Sequence, residues 1–264
     1  MIKFIKCRLC NGESKFLFTK LILNKHTISY YECNSCKSLL TEEPYWITEL
    51  YNNNNLTNED FGAGYRIFRN QEKVFILSKI LGLKKGLDWG GGDGILCRLL
   101  RDYCLDFYTI DKFTNSSYAV EFIIRDYSSL DLITSFEVFE HLDKPKEDID
   151  FLFNLNAKAI FIQSKLYKNQ NEDWDYLHPK HGEHVFFYSK IALELIAKKY
   201  NYELKVYNSE YVLFYKKKYL SKAKLFLFSL MFNKYITKLV RVFISICPTK
   251  GIQKDKEKFY LKVK

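Results

Sequence analysis

Residues 87–94 read LDWGGGDG, and the apolar segment ILCRLLRDY follows at 95–103. A short apolar strand thus runs into a glycine-rich turn that opens a helix. Gly90, Gly92 and Gly94 let the main chain turn sharply and let a ligand approach with no Cβ in the way. The first N–H groups of the helix have no intrahelical partners and face that ligand. A second apolar run, YTID, ends in Asp111, 23 residues beyond Asp88. A carboxylate at the tip of the second strand of a nucleotide-binding sheet accepts both hydroxyls of a ribose. The chemistry indicated is the holding of a nucleoside cofactor. A dinucleotide pattern, G-x-G-x-x-G, fails: counted from Gly90 its last position is Ile95, and from Gly92 it is Cys97. No phosphate-loop pattern occurs either. What stands here is acidic-x-G-x-G-x-G, from Asp88 to Gly94.

Two further groups carry acid–base side chains. Glu137, Glu140 and His141 follow the apolar run 131–136, and His178, His181, Glu183 and His184 follow the run 159–164. Ligands of open α/β sheets bind at the carboxyl ends of the strands, where both groups fall. A positioned imidazole or carboxylate there takes a proton from an acceptor. A structural, hydrogen-bonded histidine is the competing reading for each.

Cys7 and Cys10 form one C-x-x-C and Cys33 and Cys36 another, with 22 residues between the pairs. Two such knuckles set four thiolates around one zinc ion, and four cysteines leave no open position for water, so the expected zinc is structural. The intervening residues 16–32 read as a β-hairpin or a pair of short strands. So small a segment draws its folding energy from the metal. Two disulfides are the alternative. The first residues do not read as a secretory signal and Cys97, Cys104 and Cys247 are an odd, scattered set, so a reducing cytoplasmic setting is expected.

The pattern Asp88–Gly94 resembles the first motif of class I S-adenosylmethionine (SAM)-dependent methyltransferases. SFEVFEHLDKP (135–145) and HGEHVFFYS (181–189) resemble later motifs of the methyltransferase 23-like branch. Together the matches span residues 60–215. The resemblance implies a Rossmann-like, seven-stranded, mostly parallel sheet with helices on both faces and its last strand antiparallel. It assigns Asp88, Gly90, Gly92 and Gly94 to the methionine moiety and Asp111, with Lys112 beside it, to the ribose. Asp126 would meet the adenine amine, and Phe136 and Glu137 would flank the cofactor. Trp89 stands where a small aliphatic residue is expected; it either narrows the cofactor pocket or points into the sheet core. Glu183–His184 resembles the Glu-His pair of sugar C-methyltransferases, although His181 replaces a tyrosine of that pattern. His184 is then the expected general base, Glu183 its partner, and His141 a second catalytic candidate or a brace for its loop. Knuckle pairs ahead of a SAM domain are similar to those of nucleotide-sugar and polysaccharide-cluster methyltransferases, and zinc ribbons also sit on enzymes that modify ribosomal RNA.

The elements that must position these residues alternate along the chain. Strands are expected at 87–90, 107–111, 121–124, 131–136, 159–164, 203–207 and 211–216. Helices are expected at 65–81, 95–103, from Pro145, and at 189–200 with Ser189 as N-cap. Arg66 and Arg69 on the 65–81 helix read as a solvated face, with contact to a carboxylate or phosphate as the alternative. The Asn-rich residues 52–55 read as a loop. Four parts follow: a zinc-knuckle module (1–45), a helical linker or cofactor lid (46–84), the SAM-binding domain (85–216) and a basic tail (217–264).

The whole chain of 264 residues carries a formal charge of +10, but residues 216–264 hold 14 Lys+Arg against 2 Asp+Glu. Residues 1–215 hold the remaining 27 and 29. A nucleic-acid enzyme spreads basic charge around its active site, so RNA is the weaker acceptor reading. Residues 219–246 are apolar and punctuated by Lys and Arg, with Pro248 and Gly251 ending the run. They read as one or two basic amphipathic helices, either a cap on the sheet or a surface for an anionic membrane. A mean hydropathy of −0.24, with no apolar run long enough to span a bilayer, fits a globular enzyme. The expectation is a cytoplasmic methyltransferase, peripheral at the inner membrane face, with a sugar-type small-molecule acceptor. An RNA methyltransferase and a non-catalytic SAM-binding regulatory protein are the alternatives.

Overall fold

The computed structural model describes residues 3–52 and 61–260. Its strands and helices, in chain order, begin with β1 (Phe4–Lys6), β2 (Glu13–Ile22), β3 (His26–Cys33), β4 (Leu39–Thr41), α1 (Ile47–Asn52) and α2 (Ala63–Leu81). There follow β5 (Gly86–Trp89), α3 (Ile95–Asp102), β6 (Phe107–Ile110), β7 (Leu132–Phe136), α4 (Pro145–Asn154), β8 (Ala159–Gln163), β9 (Phe186–Phe187) and α5 (Lys190–Lys199). The chain ends with β10 (Glu203–Tyr207), β11 (Tyr211–Tyr215), α6 (Lys222–Ser229), α7 (Lys234–Ser245) and α8 (Lys250–Tyr260). Of the Asn-rich run, Asn52 closes α1 and residues 53–55 lie outside the described residues.

The strands form two sheets. One has the order β1-β2-β3-β4-β9 and is antiparallel throughout. The other has the order β10-β11-β8-β7-β5-β6, with β5 paired in parallel to both β6 and β7. This is the expected α/β arrangement, with one correction: six strands stand among the described residues, not seven. Residues 121–124, read as a strand, instead form a 3-10 turn at Val120–Phe122 and a single bridge from Ile123 to Thr109.

The chain divides into two compact units. The first comprises residues 1–60, 136–154 and 162–214. Its core joins Ile22, Ile28, Tyr30 and Leu39 of the N-terminal strands to Trp46, Tyr176, Leu177, Val185 and Phe187. Burying a set of aromatic and aliphatic side chains of this size is its main source of stability. The Trp46 indole N–H also donates to the Gly182 carbonyl at 2.8 Å. The loop that bears the histidines is therefore built onto the sheet that bears the cysteines. Ser189 caps α5 as expected, its Oγ accepting the Ala192 N–H at 3.0 Å.

The second unit comprises residues 61–135, 155–161 and 215–264. Here the basic tail packs as a helical cap. Arg241 on α7 donates to Glu72 on α2 at 2.6 Å, and Phe228 on α6 meets the Phe161 ring edge-on. Past Pro248, where the sequence reading ended the run, α8 docks on α3. Asp255 accepts from Arg101 at 2.8 and 3.0 Å and from Arg98 at 2.8 Å. Arg101 is buried and also pairs with Asp106 at 2.8 Å, so removing Asp255 would leave it with that carboxylate and the Phe107 carbonyl but without its partner on α8.

Candidate cofactor and acceptor sites

In the second unit, β5 delivers the glycine turn from the middle of the parallel strands. Gly90 and Gly91 donate to the Ile110 carbonyl at 2.8 and 3.2 Å, which folds the turn back over the end of β6. Gly90, Gly92 and Gly94 have φ of 76°, 51° and 80°, the left-handed region that glycine occupies without strain. Gly91, which the spacing did not single out, is the tightest point: a Cβ there would lie 2.3 Å from Thr109 Oγ1 and 2.7 Å from Asp88 Oδ2. Asp111 holds the turn from the second strand, as Oδ2 accepts the Gly92 N–H at 2.9 Å. Its Oδ1 accepts the N–H groups of Phe113 and Thr114 at 2.8 and 2.9 Å. Lys112 is exposed beside it, its ammonium 5.1 Å from the Phe113 ring centre. Trp89, at the end of β5, is half-buried.

Asp88 is buried and accepts the Thr134 hydroxyl at 2.7 Å. Burial pushes its carboxyl up to about 7; the Thr134 bond opposes this and the nearby Asp111 charge adds to it. An acid whose folded value lies above its unfolded value destabilises the fold once ionised. Stability is therefore lost as pH rises from about 4 through about 7. Asp88→Asn is expected to stabilise the cofactor-free protein at pH 8 by up to roughly 4 kcal/mol, and by nothing at pH 4. Denaturant unfolding of both proteins at the two pH values checks this; an equal gain at both would mean that Asp88 does not titrate as described.

Asp126 does not join this turn. It pairs with Lys85 at 2.8 Å and accepts from Ser128, and Lys85 precedes β5 whereas the turn follows it. Arg69, read as a solvated face, bonds Tyr65 at 2.9 Å and lies 3.7 Å from Glu72.

In the first unit, Phe136 ends β7 half-buried, and Glu137 follows at φ 54°, its N–H donating to the Gln163 carbonyl at 3.0 Å. A non-glycine residue held there at a strand end is a local cost often found at functional sites. Beyond it, Glu140 lies fully buried in a 3-10 turn, Phe139–His141. Tyr176, which no sequence signal marked, is the hub of this cluster. Its hydroxyl donates to Glu140 Oε1, and its carbonyl lies 2.6 Å from His184 Nδ1. That contact fixes the proton on Nδ1 and leaves Nε2 with its lone pair. Burial, then His141, hold His184 well below the ordinary histidine range, so it is neutral. Glu183 lies closer to His178, at 3.3 Å, than to His184, at 4.0 Å. The Glu183 bond raises His178. The His178 and His184 rings stack at 4.6 Å, and the His141 ring meets His184 edge-on at 4.9 Å. A cavity of about 300 Å³ adjoins them, lined by Lys20, Asp173, Trp174, Asp175, His178 and His181 among others.

The four N-terminal cysteines converge. Cys7 and Cys36 sulfurs lie 3.7 Å apart and those of Cys10 and Cys33 3.4 Å, with all four within 4.8 Å. The Cys36 N–H donates to Cys33 Sγ at 3.4 Å. Main-chain donors at Cys36 and Ser35 outweigh burial and bring the Cys33 thiol down to about 7. Arg8, inside the first knuckle, donates to the carbonyls of Thr41, Glu42 and Val185 at 2.6, 2.9 and 2.7 Å.

Residues 63–205 match the family model described as a methyltransferase domain. This is more than half of the chain, so the protein belongs to that family and is a SAM-dependent methyltransferase. Similar solved structures include the methyltransferase domain of bacterial CtHen1, at 18% identity over 56% of this chain and 97% of that one, with a TM-score of 0.40. Magnesium protoporphyrin IX methyltransferase from Synechocystis PCC 6803 with bound SAH shares 13% identity over 66% and 97%, with a TM-score of 0.43. The plantazolicin methyltransferase BpumL with SAH shares 14% over 74% and 83%, with a TM-score of 0.42. No curated protein is significantly similar in sequence.

Proposed function

We propose that this methyltransferase acts on a sugar, carried as a nucleotide-sugar or as a surface-polysaccharide or glycolipid intermediate, in the cytoplasm. The cavity beside His178 and His181 carries the reading. It offers an aromatic face from Trp174, carboxylates from Asp173 and Asp175 for hydroxyls, and ammonium groups from Lys20 and Lys180 for a phosphate. In this reading Asp88, the glycine turn and Asp111 hold SAM, and His184, Glu183 and His141 serve the acceptor. Methyl-labelled SAM, incubated with the protein and an extract of a host lacking the gene, tests it. Label in the anionic or lipid-linked sugar pool is expected; label in RNA would overturn the sugar reading. His184→Ala is expected to lower turnover at least ~10-fold while SAM binding by calorimetry is unchanged. Unchanged turnover would remove His184 from the reaction.

Cys7, Cys10, Cys33 and Cys36 are proposed to hold a structural zinc ion that organises the N-terminal module. Sulfurs at tetrahedral zinc lie about 3.8 Å apart, close to the separations found.

The tail is proposed to touch an anionic membrane. No helix among the described residues is long and apolar enough to cross one. Yet Tyr235, Leu239, Val242 and Ile246, spaced along one face of α7 and just beyond it, are 65%, 71%, 62% and 74% exposed. Lys234 and Lys238 supply positive charge on the same helix, while Arg241 is paired with Glu72. Leu239→Glu combined with Val242→Glu is expected to abolish co-sedimentation with vesicles containing phosphatidylglycerol. Substitution is preferable to truncation, which would strip Asp255 from Arg101. Equal pelleting of both proteins would count against docking.

A further inference from the structure

We propose that Glu140, His141 and His184 form a binding site for a first-row divalent metal ion, whose open coordination positions take a hydroxyl of the acceptor. The inference rests on the methyl-transfer reading above for its chemistry, but not for the site itself. One ligand atom from each of the three residues lies within 4.8 Å of the others. Ligands at 2.0–2.2 Å from a common ion sit about 3.0–3.5 Å apart, so small side-chain rotations close the site. Glu140 is fully buried, and while Oε1 accepts from Tyr176, Oε2 is buried with no hydrogen-bond partner among the described residues. A buried carboxylate oxygen left so is costly unless a donor or a positive charge meets it; the Ser164 hydroxyl is the neighbouring donor, and a metal ion would satisfy the oxygen more fully.

The supporting contacts are those a metal site uses. The Tyr176 carbonyl accepts the Nδ1–H of His184, which leaves Nε2 with its lone pair for an ion, and the Tyr176 hydroxyl orients the ligating carboxylate. The Val185 N–H donates to the Glu140 carbonyl at 2.8 Å and fixes the two segments to each other. Two imidazoles and one carboxylate suit manganese, iron, cobalt or zinc and leave coordination positions open. The neighbouring set His178, Glu183 and His184 fits less well. The His178 and His184 rings lie face to face, at an interplanar angle of 11°, whereas His141 meets His184 at 85°. His178 is also exposed and bonded to Glu183.

A hydroxyl bound to such an ion loses its proton to solvent several pH units more readily than a free alcohol. The resulting oxygen attacks the methyl carbon of SAM. The O–C bond forms as the C–S bond breaks, and the bonding pair remains on sulfur, giving S-adenosylhomocysteine.

Mn²⁺ is the first ion to use, because four thiolates disfavour it and the cysteine cluster then does not interfere. The full chain is titrated with Mn²⁺ and free Mn²⁺ is followed by electron paramagnetic resonance. One ion per chain is expected, with affinity lowered at least ~10-fold in His141→Ala and in Glu140→Gln, and less than ~3-fold in His178→Ala. Circular dichroism and SAM calorimetry on each variant confirm folding, and half-buried His141 is the variant least liable to perturb it. No Mn²⁺ binding by the native chain overturns the proposal. So does binding retained in a folded His141→Ala protein, or binding lost in His178→Ala alone. Methyl transfer that proceeds without bound metal defeats the metal inference and leaves the methyl-transfer reading standing. Mn²⁺ binding without any methylated product defeats the acceptor reading instead.

Discussion

Cys36→Ser is expected to leave the chain without zinc and to lower its thermal midpoint by about 10 °C or more. Structural zinc contributes about 10–16 kcal/mol in small modules, and losing one thiolate forfeits much of that. Even a few kcal/mol lost from a domain of this size moves the midpoint by that amount. The damage should reach beyond the cysteines. Ser189 Oγ donates to the Cys36 carbonyl, and Ser189 N–H donates to Ser38 Oγ at 3.2 Å. Arg8 and the Thr41 N–H both bind the Val185 carbonyl, at 2.7 and 3.1 Å. These bonds tie the cysteine module to the residues flanking His184. Hydrogen exchange should therefore quicken at residues 182–189 as well as at 26–41. A zinc-free native protein of unchanged stability would end the zinc reading. Faster exchange confined to 26–41 would mean that the histidine loop stands without the module.

Elements whose signals are local were legible in the sequence. β5, β6, β7, β8, β10 and β11 lie where apolar runs predicted them, because each run is bounded by turn residues or charges. α5 starts at the residue after its serine cap, as the Ser189 side chain dictates. What could not be read depends on distant partners. β9 is two residues long and exists because Phe186 and Phe187 pair with β4 from the far end of the first unit. Residues 121–124 have strand-like composition, yet only Ile123 pairs with β6, while Asp126 is drawn to Lys85. Gly251 reads as a terminator, but it sits inside α8. A Cβ there would lie 1.8 Å from the Arg101 carbonyl, so glycine permits the helix to dock.

The sites divide the same way. Alternate glycines and the two aspartates are a local pattern, and they came together around one turn. The histidine cluster was visible only as two separate groups. Its organiser, Tyr176, lacks any sequence mark because it acts through a backbone carbonyl and a buried hydroxyl. Arg8 was equally hidden, since its partners are three carbonyl groups and the Thr41 hydroxyl.

Gly91→Ala is expected to weaken SAM binding at least ~100-fold, close to 3 kcal/mol, measured by calorimetry. Its φ is not in the left-handed region, so the cost is steric. The new methyl would overlap Thr109 Oγ1 and Asp88 Oδ2 before any ligand arrives, and the turn must lift away from β6. Gly92→Ala makes the informative contrast. At φ 51° alanine costs about 1 kcal/mol in the left-handed region, but its Cβ meets no atom of the other described residues within 4 Å. The cofactor-free fold should thus tolerate Gly92→Ala, and any larger loss must come from the methyl meeting bound SAM. A stability loss with Gly91→Ala, and a binding loss out of proportion to stability with Gly92→Ala, would locate the ligand against the main chain of the turn. Native affinity in both variants would show that SAM does not use this turn. Destabilisation by Gly92→Ala equal to that by Gly91→Ala would mean that the space above Gly92 is taken up by protein, leaving no room for a cofactor there.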